Sequence, residues 1–307
     1  DASWDARVTG WINEVRGRAR SGVAAPGEIR DVHLPLDEMR LIKEPEELAV
    51  MRRAAAITAD AHRRAMRAAR PGRVEYEIEA ELMHEFRRNG AQAPAYTPIV
   101  ASGARACVLH YVQNDGELKD GELLLIDAGC ELDGYAADVT RTFPVNGKFS
   151  GPQREIYELV LAAQAAAIAQ VKPGGRWDAP HRAAVEVLAQ GMIDLKLLQG
   201  GVAEAVETEA YKKFYMHRTG HWLGLDVHDA GDYKRGGEWR SLAPGMVLTV
   251  EPGCYIPAGE GVPARFAGIG VRIEDDVAVT DAGAEVLTRD APKRPADIEA
   301  WMSARDA

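Results

Sequence analysis

The chain has 307 residues, 46% hydrophobic and 27% charged, the composition of a globular protein able to bury a large core. A net charge of −10 leaves no basic face to explain, which excludes nucleic acid as a partner, and no apolar run is long enough to span a membrane. Three scattered cysteines (Cys107, Cys130 and Cys254) show no CxxC spacing, so a reducing, cytoplasmic home is expected rather than a disulfide framework or a thiolate zinc site.

Residues 1–40 carry too little apolar pattern for a core of their own. They comprise a short amphipathic stretch with Trp11, Ile12 and Val15, a turn-rich segment from Ser21 to Gly27, and a predicted strand from Ile29 to Leu34. The main domain is expected from residue 41 to 307. Pro45, Glu46 and Glu47 make a good helix start, and Pro71-Gly72 a stop; a second helix is predicted from Val74 to Arg88. Strands are predicted at 99–101, 123–127 and 135–143, helices at 154–170 and 179–191, and strands again at 214–217, 246–251 and 271–279. Two helices followed by strands, twice over, is an internal repeat of arrangement. The fold class is α+β, with a strongly bent, mostly antiparallel sheet.

Within the strands stand charges that an apolar setting does not tolerate unpaired. Asp127 ends the run Leu123-Leu124-Leu125-Ile126, and Asp138 lies in Ala136-Ala137-Asp138-Val139. Asp133-Gly134 between them is a hairpin signal that folds the two acids nearly opposite each other. Like charges across two strands destabilise the pair, and a shared cation reverses that sign. Glu251 closes Val247-Leu248-Thr249-Val250, and Glu274 shares a strand face with Arg272 and Asp276. Three histidines (His217, His221 and His228) fall within a dozen Gly-rich residues, without the HExxH spacing of zinc proteases.

Four carboxylates and one imidazole make an oxygen-rich, hard site. Mn²⁺ is the expected ion, with Co²⁺, Fe²⁺ or Zn²⁺ as substitutes. So many anions suit two divalent ions, roughly 3.5–4 Å apart, better than one. The sequence holds no GxSxG, P-loop or GxGxxG, which leaves metal-assisted hydrolysis.

The order Asp127, Asp138, His221, Glu251, Glu274 resembles the ligand order of the pita-bread metallopeptidases. The phrases from Gly134 to Val145, from His221 to Asp229, at Glu251-Pro-Gly, and from Gly268 to Asp276 are most similar to the aminopeptidase P branch. The resemblance covers about residues 30–300 and implies the pita-bread fold with a pseudo-two-fold repeat. It implies that Asp127 binds one metal, that Asp138 and Glu274 bridge the pair, and that His221 and Glu251 complete the shell. Glu251 would also move the proton of the attacking water, His228 would donate to the substrate carbonyl, His110 would sit on the rim, and His217 and Arg272 would shape the pocket. Thr140, on the strand face of Asp138, is a further candidate as a supporting hydroxyl.

The reaction implied is release of the N-terminal residue from peptides with proline second. Two departures stand out: residues 1–40 match only the tail of the family's N-terminal, creatinase-like domain, and Arg218-Thr219-Gly220 replaces a small uncharged stretch before His221. A homo-oligomer is compatible with this reading. The rivals are a prolidase, which cleaves Xaa-Pro dipeptides, and a non-catalytic or metal-free protein on the same fold.

Overall fold

The computed structural model describes residues 1–304 and divides into two units, Asp1–Leu36 and Asp37–Ala307. The first unit holds helix α1 (Ala2–Gly17), capped by the Asp1 carboxylate on the amide of Ser3. The strand expected over 29–34 does not form; helix α2 (His33–Leu41) starts there instead. The Asp31 carboxylate accepts from the His33 amide at 2.9 Å, and Pro35 falls in the first turn, so capping overrides the apolar alternation.

Helices α3 (Pro45–Ala68) and α4 (Glu75–Arg88) follow their sequence signals closely. Glu47 reaches back to the Glu44 amide at 2.7 Å, closing the first turn of α3. Met51, Ala54, Thr58, Ala61 and Ala65 form its buried stripe, at the spacing of one helix face. Next come β1 (Ala93–Pro94), β2 (Ile99–Ser102), β3 (Leu123–Asp127), β4 (Cys130–Leu132), β5 (Tyr135–Ala136) and β6 (Thr140–Pro144). Helices α5 (Gly151–Ile168) and α6 (Ala179–Asp194) form the second pair, followed by the short α7 (Val202–Glu207). The second strand set is β7 (Lys234–Arg235), β8 (Glu238–Trp239), β9 (Val247–Val250), β10 (Gly253–Ile256), β11 (Ile269–Arg272), β12 (Asp275–Thr280) and β13 (Gly283–Val286), and α8 (Pro295–Ser303) ends the described fold.

Every ladder among the described residues is antiparallel, in small sheets ordered β1-β4-β5, β2-β3-β6, β10-β11, β13-β12-β9 and β7-β8. The strand expected over 271–279 is therefore two, broken at Ile273-Glu274. The strand expected over 214–217 is absent, because Phe214 and Tyr215 are buried there as packed rings rather than as a ladder. No helix among the described residues is long and apolar enough to cross a membrane. The three cysteines are free thiols.

The two helix-and-strand halves meet where β6 lies beside the β11–β12 break. Glu274 donates its amide to the Thr140 carbonyl at 3.1 Å, and the Thr142 hydroxyl donates to the Arg272 carbonyl at 2.9 Å. That seam is where the acidic residues of both halves come together.

Candidate metal centre

The β4–β5 hairpin sets the first two acids. Leu132 pairs with Tyr135 across Asp133 and Gly134, at φ +52° and +85°, the positive pair a type I′ turn requires. Counting back along that register places Thr140 opposite Asp127 and Gly129 opposite Asp138. Asp138 is thus diagonal to Asp127 rather than across from it, two residues along on the same face. Gly129 is required by this crossing: a Cβ there would lie 1.7 Å from the Ala137 carbonyl oxygen.

The other three arrive from the second half. His221 lies on a segment pinned to β9, its carbonyl accepting from the Thr249 amide at 3.0 Å, while the Glu251 amide donates to the Thr219 carbonyl at 2.8 Å. Glu274 fills the β11–β12 break, where the Thr140 hydroxyl donates to its Oε2 at 2.6 Å. The supporting hydroxyl expected at Thr140 is in place. The ligand atoms of Asp138, His221 and Glu274 all lie within 4.8 Å of one another.

The His221 ring has a fixed tautomer. Its Nδ1 donates to the Trp222 carbonyl at 2.9 Å, so the neutral ring turns the Nε2 lone pair towards Asp138 Oδ2 at 3.3 Å and Glu251 Oε1 at 3.8 Å. A lone pair and two carboxylates aimed at one point is a donor set that fits a divalent cation. Protonation answers the same field: burial lowers the His221 pKa, but Asp138 and then Glu251 outweigh it and push it up to about 9. Glu251 is pushed up to about 7, first by burial, and Glu274 far above the carboxylate range by burial and then the Asp138 charge. Asp127 also rises, chiefly through burial, although the Arg272 guanidinium bonds its Oδ2 and pulls the other way.

Around this centre a relay of hydrogen bonds orders the pocket. Arg272 Nη1 donates to the Tyr255 hydroxyl at 2.9 Å, Tyr255 donates to His217 Nε2 at 2.8 Å, and His217 Nδ1 donates to the Arg218 carbonyl at 2.7 Å. The carbonyl can only accept, which sets each direction in the chain. His228 packs edge-on against His221, with ring centroids 4.4 Å apart, and burial holds its pKa below the usual histidine value. His110 sits on the rim with a left-handed φ of +57°. The five candidate ligands, His110, His217, His228 and Arg272 all open on one cavity of about 740 Å³. Its remaining walls include Trp177, Tyr233, Trp239, Ile99, Leu109 and Val112.

Tyr96 belongs here too and was not anticipated. Its hydroxyl lies 2.5 Å from both Asp127 Oδ1 and Asp138 Oδ1. One hydroxyl proton serves one acceptor, so Tyr96 reports how closely the two carboxylates crowd. Its sequence setting, Pro94-Ala95-Tyr96-Thr97-Pro98, has no period and offered no signal. Arg218 was likewise unforeseen as a pocket residue, as was Tyr255 as the buried support of Arg272 and His217.

This fold and this acid-and-imidazole centre are those of a metallopeptidase, and the chain belongs to metallopeptidase family M24, whose family model matches residues 49–281. It is 53% identical to the Xaa-Pro aminopeptidase of Haemophilus influenzae over 90% of its length and 48% identical to that of Escherichia coli over 98%. It spans 64% and 68% of those relatives. Among solved structures it superposes on an aminopeptidase of Pseudomonas aeruginosa with a TM-score of 0.95 at 54% identity, and on Escherichia coli aminopeptidase P in complex with substrate with 0.93 at 47%. The chain covers 70% and 69% of these, and is itself covered in full. The pita-bread fold implied by the sequence is thereby established.

Proposed function

We propose that this chain is the catalytic part of a metal-dependent aminopeptidase that releases the N-terminal residue from peptides whose second residue is proline. The observation that carries the reading is the convergence of Asp138, His221 and Glu274 within 4.8 Å, with His221 Nε2 turned inward towards Asp138. Names of relatives at 48–53% identity support the substrate class. Asp127, Asp138, His221, Glu251 and Glu274 would hold two divalent cations, Mn²⁺ first by hardness, although a zinc-substituted form of the Escherichia coli relative exists. Such a pair supplies a polarised carbonyl and an activated water.

The chain's own residues do the rest. Glu251 takes up and returns a proton at the face it shares with His221. His228 is neutral near pH 7 and offers an N–H to the oxyanion. Trp177, Tyr233 and Trp239 form a rigid aromatic wall suited to a proline ring, which has no N–H to satisfy. Residues 1–40 are assigned as the tail of an N-terminal domain, and assembly into a homo-oligomer fits the same reading.

The test is a metal-reconstituted assay with Xaa-Pro-Yaa, Xaa-Ala-Yaa and the Xaa-Pro dipeptide. The tripeptide with proline is expected to be cleaved, the alanine peptide spared, and the dipeptide poor. Equal cleavage of proline and alanine peptides overturns the specificity, and dipeptide preference favours a prolidase. Glu251→Gln is expected to lower turnover by about 10³-fold with the fold intact; near-normal turnover removes Glu251 from proton transfer.

A further inference from the structure

The segment before His221 carries a cation that nothing in the site uses. Thr219 turns inward, its hydroxyl 2.8 Å from His181 Nδ1 and 2.6 Å from the Tyr215 hydroxyl. Its neighbour Arg218 is exposed and lines both the large cavity and a small pocket adjoining it. The guanidinium carbon stands 5.7 Å from the centroid of the Trp239 ring. Lys234, cross-strand partner of Trp239 in the β7–β8 hairpin, places its ammonium 4.2 Å from the same ring.

The surrounding cations are spoken for. Arg272 pairs with Asp127, and both Arg235 and Arg240 pair with Glu38. Arg218 and Lys234 make no ion pair among the described residues, in a chain with a net charge of −10. Arg218 and Lys234 stand beside one indole, which with Arg218 lines a cavity whose floor is acidic, and together they form a site for an anion arriving from outside. The planar fork of Arg218 matches a carboxylate, and the Trp239 ring lies beside it.

On the aminopeptidase reading, a peptide engaged by its first residue at the acidic floor would run outward past the proline towards this mouth. We infer that Arg218, with Trp239 and Lys234, is a carboxylate-binding subsite that receives an anionic group downstream of the proline, so that short acidic peptides are preferred. This rests on the aminopeptidase reading above. The carboxylate has two sources, the free C-terminus of a tripeptide or an acidic side chain after the proline.

Three substrates separate them: Xaa-Pro-Leu as free acid, Xaa-Pro-Leu amide and Xaa-Pro-Glu amide. The metal-loaded enzyme is expected to favour the free acid over the leucine amide by about tenfold in kcat/KM, through KM, and the preference weakens as salt rises. Arg218→Gln is expected to bring that ratio to about one, Arg218→Lys to keep part of it, and Lys234→Gln to lower it about twofold. Recovery with the glutamate amide shows that a side-chain carboxylate also fits; no recovery confines the subsite to the C-terminus. An acid-to-amide ratio that stays the same in Arg218→Gln, whether both rates fall together or neither moves, overturns the inference. Failure to cleave any peptide with proline second overturns the aminopeptidase reading instead, and the two failures are distinct.

Discussion

Glu274 and Asp275 are adjacent and both buried, yet they live in opposite electrostatic worlds. Asp275 is held by Arg141 at 2.7 Å and Lys293 at 2.5 Å, with Gln164 and the Thr288 hydroxyl completing its shell. Burial raises its pKa, but the two cations outweigh burial and keep it below the usual carboxylate range. Glu274 faces Asp138, Glu251 and Asp127, and its pKa goes far up. The protein supplies two cations to Asp275 and leaves Glu274 among carboxylates. A buried acid with its own arginine is architecture; a buried acid crowded by acids is a candidate binding site.

Substitutions at the two positions sharpen or break that contrast. Asp275→Asn leaves Arg141 buried without its partner and is expected to cost about 3–5 kcal/mol in denaturant unfolding. Glu274→Gln relieves repulsion and is expected to leave metal-free stability within about 1 kcal/mol of wild type. The contrast fails if the two losses are equal. Mn²⁺ at roughly a hundred times its dissociation constant is expected to stabilise the wild type by about 3 kcal/mol, measured as a midpoint shift, and a chelator to reverse it. That shift should largely vanish in Glu274→Gln; its persistence would place the ion elsewhere.

A smaller effect concerns His62, buried on α3, with its Nε2 donating to the Ala128 carbonyl at 3.0 Å just behind Asp127. Burial lowers its pKa to about 4. The depressed value means that stability is full above pH 6.5 and falls as the unfolded chain takes up its proton first. About 2 kcal/mol is expected to be lost between pH 6.5 and 5, and His62→Gln should flatten that limb. An unchanged slope would assign the acid loss to other groups. At the bottom of the scale, the half-exposed Arg52–Glu285 pair at 2.8 Å should contribute under about 1 kcal/mol in a double-mutant cycle, which calibrates how much burial matters at Asp275.

Much of this was legible from residues alone, for identifiable reasons. Pro45 and Pro71-Gly72 bound a helix because backbone geometry leaves little choice, and Asp133-Gly134 set the hairpin that delivers Asp127 and Asp138. The nine functional positions singled out from the sequence all reach one cavity. What stayed hidden depended on tertiary context. Ile29–Leu34 alternates like a strand, but one Asp31 cap makes it a helix start. Ile273-Glu274 reads as mid-strand, yet the seam with Thr140 breaks the ladder there. Tyr96 and Arg218 sit in irregular segments, where no period announces what a side chain faces.

The short hairpin has a consequence for how the molecule is made. Asp127 and Asp138 can meet as soon as their two strands leave the ribosome, because a two-residue turn joins them. The Thr140–Glu274 contact spans 134 residues, so the two halves cannot close on each other until Glu274 has emerged. A nascent chain therefore carries a half-built acidic cradle until its second half has been made, and any ion the completed site takes up would follow that late closure.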